Sequence, residues 1–172
     1  ALYDAETGEI YQRKKLLPVK EGELGLRQSD AVFSHVKQLG DIVEKVFAEH
    51  GGKIEAVGVS TRPRDIDGSY MPCFLVGDMV SRCVASAVSA PRFTFSHQQG
   101  HVAAALYSAG KLELLNEKFI AFHLSGGTTE ALLFEPDEER IIRCSKIAGS
   151  LDLKAGQAVD RVGVMLGLPF PA

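Results

Sequence analysis

Two histidines stand four residues apart in the run His97-Gln98-Gln99-Gly100-His101. At the start of a helix that spacing puts both imidazoles on one face, about a turn from each other, so a single ion could take both. Two ligands do not complete a zinc or iron site, which draws on three or more groups, and with five histidines in the chain such a pair also arises by chance. A second candidate is Ser125-Gly126-Gly127-Thr128-Thr129. Here glycines let successive backbone N–H groups close on an anion and hydroxyls add donors, although the same glycines suit a plain tight hairpin. The third is Asp152-Leu153-Lys154-Ala155-Gly156-Gln157-Ala158-Val159-Asp160. Gly156 falls in the first turn of a helix and Asp160 lies four residues on along the same face. A carboxylate there could hold a ribose hydroxyl, or simply pair with a nearby base on a solvated helix.

The elements that must position these residues follow from periodicity. Residues 1–4 and 9–17 flank a Glu6-Thr7-Gly8 turn and predict a hairpin whose second strand carries the Arg13-Lys14-Lys15 cluster. That cluster is a solvated strand end or a contact for RNA. Val32, Val36, Leu39, Val43, Val46 and Phe47 keep helical spacing from a candidate cap at Ser29 to the stop at Gly51-Gly52. The apolar run 54–60 predicts a buried parallel strand, followed by a loop with Arg62, Pro63, Arg64 and Gly68. Residues 74–90 predict a helix, 92–96 a short strand, and 97–108 a helix ending at Gly110. Strands are expected at 119–124, 130–134 and 141–147, then a helix at 155–166 with Ala158, Val159, Val162, Met165 and Leu166 as its stripe. This order of strands and crossover helices describes an α/β chain with the actin-like two-lobed fold. Residues 1–115 are expected to form a first lobe and 116–172 the start of a second. Neither end closes an element, so the chain reads as a piece of a longer protein.

Composition narrows the classes. Of 172 residues 45% are hydrophobic, a packed core rather than disorder. Nineteen basic against 22 acidic residues give a formal charge of −3, so any RNA contact must be local or shared with a partner. Arg13, Lys14, Lys15, Arg62 and Arg64 are the local sources of positive charge. Cys73, Cys83 and Cys144 form no C-x-x-C pair, which argues for a reducing, cytoplasmic setting. No apolar run approaches a membrane span.

Taken in this order and at these separations, the three motifs resemble the TsaD/Gcp glycoprotease-like family, historically named O-sialoglycoprotein endopeptidases. His97 and His101 match the histidines of the family's H-x-E-G-H motif, and Ser125, Gly126 and Gly127 its S-G-G-H-T loop. Gly156 and Asp160 match its D-D-A-A-G-E-A-F-D-K helix, and Leu166-Gly167-Leu168-Pro169 its L-G-L-P run. The resemblance covers essentially the whole chain. It implies transfer of a threonylcarbamoyl group from its adenylate to an adenosine of tRNA, beside other threonylcarbamoylation proteins. It further implies a divalent metal, iron or zinc, on His97 and His101. ATP or threonylcarbamoyl-adenylate would be held by Ser125, Gly126, Gly127, Thr128, Thr129, Gly156 and Asp160. Against the family pattern, Gln99 replaces Glu, Thr128 replaces His, Leu153 replaces Asp and Gln157 replaces Glu. Those changes are compatible with a divergent paralogue or a non-catalytic nucleotide-binding partner. A sugar or acetate kinase of the same fold gives the histidines no task, and a protease would lack its Glu base between them.

Overall fold

The computed structural model describes residues 1–18 and 26–168, so Pro169 of the L-G-L-P run lies outside the described residues. The chain is a mixed α/β protein that divides into two compact units, Ala1–Arg62 with Tyr70–Thr94, and Pro63–Ser69 with Phe95–Ala172.

The first unit opens with β1 (Leu2–Tyr3) and β2 (Ile10–Tyr11), paired antiparallel with Leu2 opposite Tyr11. Asp4 closes the turn between them: its Oδ1 accepts the N–H groups of Glu6 at 2.8 Å and Thr7 at 3.1 Å. Gly8 supplies the left-handed residue, φ +75°, that this return needs. The pairing is shorter than the predicted 9–17 strand, because the ladder stops after Tyr11.

Helix α1 (Gln28–Glu49) starts ahead of the expected cap. Arg27 is the extended residue before it and offers no side-chain cap, which leaves Ser29 inside the first turn. Strand β3 (Val57–Arg62) begins three residues later than predicted, where the Val57 N–H first finds a partner in the Pro91 carbonyl at 3.0 Å. Arg62, predicted in the loop, ends the strand. Helix α2 (Phe74–Val88) leads through a left-handed Ser89, φ 55°, into β4 (Arg92–Ser96), which pairs with β3. Arg92 fastens the return to α2 by pairing with Asp78 and by donating to the Ser81 hydroxyl at 2.8 Å.

The second unit holds the candidate site. Helix α3 (His97–Ser108) follows β4 directly, and a 3-10 turn (Leu112–Asn116) leads to β5 (Phe119–Leu124). Strands β6 (Thr129–Asp137) and β7 (Ile141–Gly149) complete a three-stranded antiparallel sheet in the order β5-β6-β7, and α4 (Ala155–Met165) is the last described element. Strand β6 alternates strictly between buried and half-buried positions up to Phe134, the period-two signature of a sheet with one face on a core. That core is Leu132, Phe134, Ile142 and Cys144, with Val102, Leu115, Phe119 and Ala121 against it. Phe134 is fully buried and stacks on the cross-strand Phe119, ring centroids 5.1 Å apart. Truncating such a side chain to Ala costs about 3–5 kcal/mol. The sheet therefore gives α3 and the β5–β6 loop a rigid base. Thr129, predicted in the turn, is the first residue of β6, opposite Leu124.

Candidate functional site

Helix α3 presents its histidines by burying what lies between them. Ser96, fully buried, accepts the Gln99 N–H at 3.2 Å, and the Gln99 side chain accepts the Ser96 N–H at 2.6 Å, a reciprocal capping box. With Gln98 and Gln99 turned inward, His97 and His101 lie on the exposed side, ring centroids 4.1 Å apart and edge to face. A third imidazole joins them: His123 of β5 lies 5.6 Å from His101. Its only sequence signal is position, since it shares the inward side of β5 with Phe119 and Ala121. Partial desolvation, then the neighbouring His101 and His123, hold the His97 imidazole below the ordinary histidine range, which favours its neutral, ligating form. His123 is lowered too, by desolvation first and then His101.

Behind the imidazoles runs a buried polar network. Gln98 Nε2 donates to Glu130 at 2.8 Å and lies 3.4 Å from His123 Nδ1. Glu130, 5% exposed, also meets Arg64 and Lys146, each at 3.0 Å. Burial pushes its carboxyl up, but Lys146, Gln98 and Arg64 together outweigh that and leave it below the usual range. Glu130 is thereby an ionised acceptor at the rim of the β5–β6 loop. Two residues considered for RNA are occupied within the chain: Arg64 by Glu130 and Arg13 by Glu49.

The glycine loop and the start of α4, separate motifs in the sequence, interlock. Ser125 N–H donates to the Thr128 carbonyl at 2.7 Å and Thr128 N–H to the Ser125 hydroxyl at 2.9 Å, which closes the loop on itself. The α4 N-terminus then docks on it. Ala155 N–H reaches Thr129 Oγ1 at 2.7 Å, Gly156 N–H the Ser125 carbonyl at 3.2 Å, and Gln157 Nε2 the Gly126 carbonyl at 2.8 Å. A Cβ on Gly156 would sit 2.4 Å from Gly126 N and 2.5 Å from the Ser125 carbonyl carbon, so only glycine admits this approach. Gly126 and Gly127 differ. Their φ angles lie outside the left-handed region, and a Cβ on either would meet nothing within 4 Å. Neither backbone strain nor packing within the described chain calls for glycine at these two positions. Asp160 stands one turn beyond Gly156 on α4, half-buried.

Gln99 and Gln157 use their amides as donors, to Ile142 O and Asp65 for the first and to Gly126 O for the second. A glutamate at either position would face an acceptor with another acceptor. Among the described residues no group of three or more His, Cys, Asp or Glu side chains is gathered so as to hold an ion. For a divalent metal the fit is partial: two exposed imidazoles on one face can serve as two ligands of a larger set.

A mixed α/β scaffold carrying a glycine loop clamped on a helix start, beside a histidine pair, is the class of protein defined here. The sequence profile of the TsaD family, described as tRNA N6-adenosine threonylcarbamoyltransferase, matches residues 19–172, and the chain belongs to that family. A tRNA N6-adenosine threonylcarbamoyltransferase of Prochlorococcus marinus (strain MIT 9215) is 32% identical over 82% of this chain and 37% of its own length. The protein of the same name from Agrobacterium fabrum (strain C58 / ATCC 33970) is 28% identical over 95% of this chain and 43% of its own length. The chain thus spans less than half the length of these relatives. No described helix is long and apolar enough to cross a membrane.

Proposed function

We propose that the protein to which this chain belongs transfers a threonylcarbamoyl group from its adenylate to an adenosine of tRNA, in the cytoplasm and beside other threonylcarbamoylation proteins. The observation that carries the reading is the contrast among three glycines. Gly156 is required by the chain's own packing, whereas Gly126 and Gly127 keep an open, side-chain-free surface for a group arriving from outside. In this reading Ser125, Gly126, Gly127, Thr128 and Thr129 receive the adenylate, with Gly156 holding the loop and Asp160 reaching a ribose hydroxyl. His97 and His101 supply two ligands to a divalent ion, iron or zinc. When bound, such an ion would supply Lewis-acid chemistry to the transfer. The remaining ligand comes from the part of the protein outside this chain. The architecture proposed with this function is the actin-like two-lobed one.

The test is full-length protein with threonylcarbamoyl-adenylate, tRNA and its partner proteins, scored for modified adenosine. Product that disappears in the His97→Ala, His101→Ala variant supports the reading. No product from the parent under conditions where it binds the adenylate supports a second one, a non-catalytic nucleotide-binding relative. Gln99 and Gln157 favour that second reading: both are committed to internal hydrogen bonds, and neither amide can act as a base.

A further inference from the structure

Asp65 lies in the Pro63–Ser69 segment of the second unit, 34 residues before Gln99, and its side chain is 2% exposed. Its Oδ2 accepts the Cys144 N–H of β7 at 3.1 Å and the Gln99 Nε2 of α3 at 3.2 Å. Arg140, in the β6–β7 turn, stands 4.0 Å from Oδ1. Gln99, itself 4% exposed, spends the same Nε2 on the Ile142 carbonyl at 2.6 Å and its Oε1 on the Ser96 N–H at 2.6 Å. One amide therefore ties the first turn of α3 to β7, to the Asp65 segment and to its own cap. The network has a fixed polarity: Asp65 and the Ile142 carbonyl are acceptors, so position 99 must donate. Cys144 adds no competing negative charge. Burial, with the charges of Asp65 and Glu130, pushes its thiol up to about 12.

We propose that Asp65 is a positioning residue for the histidine pair, acting through Gln99, and that the two form a matched carboxylate–amide lock. His97 and His101 flank Gln99 at two residues on either side, so rotation of the first turn of α3 moves both rings. The proposal rests on the metal reading above only for its functional consequence, because the lock is defined by geometry within the second unit.

In full-length protein the discriminating variant is Gln99→Glu. It sets a second carboxylate against Asp65, and like charges at that distance raise the affinity of the pair for a proton. Sign fixes the outcome: a carboxyl whose folded pKa is raised favours the folded state at low pH and loses that stability as pH rises through the folded value. The Tm of Gln99→Glu should therefore rise, relative to the parent, as pH falls from about 8 to about 5.5. The imidazole resonances of His97 and His101 should shift, and Co2+ affinity should fall by about tenfold, roughly the cost of misplacing a supporting group. Adding Asp65→Asn removes the like charge, so it should reduce the pH inversion and return both imidazole signals part of the way towards the parent, with the new carboxylate still facing the Ile142 carbonyl. A Gln99→Glu protein that does not fold at neutral pH, with the double variant folded, supports the lock as well. A parental pH profile in Gln99→Glu, or a double variant no better than the single one, overturns it. Absence of Co2+ binding in the parent overturns the metal reading instead, with the Tm profile and imidazole signals still deciding the lock.

Discussion

The glycine loop with the start of α4 and the histidine end of α3 belong to the same unit and are built in opposite ways. At the loop every junction bond has a main-chain group on at least one side. Ser125 accepts from Gly156, Gly126 from Gln157 and Thr129 from Ala155, and a single methyl on Gly156 would collide with main-chain atoms. At the histidine end the partners lie behind the functional groups. Gln98 and Gln99 are buried and bonded while His97 and His101 are exposed, 4.1 Å apart. The loop is thus internally closed and clamped by α4, whereas the histidines are held in place without being enclosed. A change at the loop junction should strike folding and binding together. A change at the histidines should strike ligation with little cost in stability.

The largest expected effect is at Gly156. Gly156→Val forces the α4 start away from residues 125–126, and urea unfolding of full-length protein should show a loss of about 3 kcal/mol together with loss of adenylate binding. Unchanged stability would mean that the interlock is not maintained in solution. Gly126→Val sharpens the contrast, since its Cβ enters open space. Stability should stay within about 0.5 kcal/mol while adenylate affinity falls by tenfold or more, read by calorimetry. Retained affinity would reduce the loop to a turn.

Third, His97→Ala with His101→Ala should shift stability by less than about 1 kcal/mol. Metal analysis after dialysis of the full-length variant should nonetheless show loss of a divalent ion that the parent keeps, and equal metal content would return the pair to chance spacing. The smallest effect is the titration. His97 and His123 should protonate below the 6.5 of an ordinary histidine when followed by NMR. A base whose folded pKa is lowered gives stability that is present above the unfolded value and lost as pH falls through the folded one, so both rings disfavour the fold in acid. Ordinary titration of both would show that the three imidazoles are not crowded.

Much of this was legible in one dimension. The i, i+4 histidines, the Ser-Gly-Gly loop between β-forming runs and the glycine at a helix start carry their meaning through spacing, and the order of strands and helices follows from apolar periodicity. His123, Glu130, Asp65 and Lys146 were not legible. A histidine within an apolar strand has no local signature, and it gains one only when register sets it opposite Glu130 and the packing of α3 brings His101 to 5.6 Å. Ser29 misled for a related reason. A serine before an apolar periodic run is a good cap locally, but the backbone enters the helix from Arg27 and leaves Ser29 inside it.

The sequence by itself determined which residues are chemically able, imidazoles, hydroxyls and side-chain-free glycines, because those are properties of residue type and short spacing. The tertiary structure alone decided why each is there. Gly156 is a contact glycine and Gly126 an open one, a distinction that exists only once a Cβ has or lacks a neighbour. Position 99 is an amide rather than a carboxylate because a buried aspartate 34 residues earlier already occupies the acceptor's role. A hydrogen bond needs a donor facing an acceptor, and which group faces which is settled by packing.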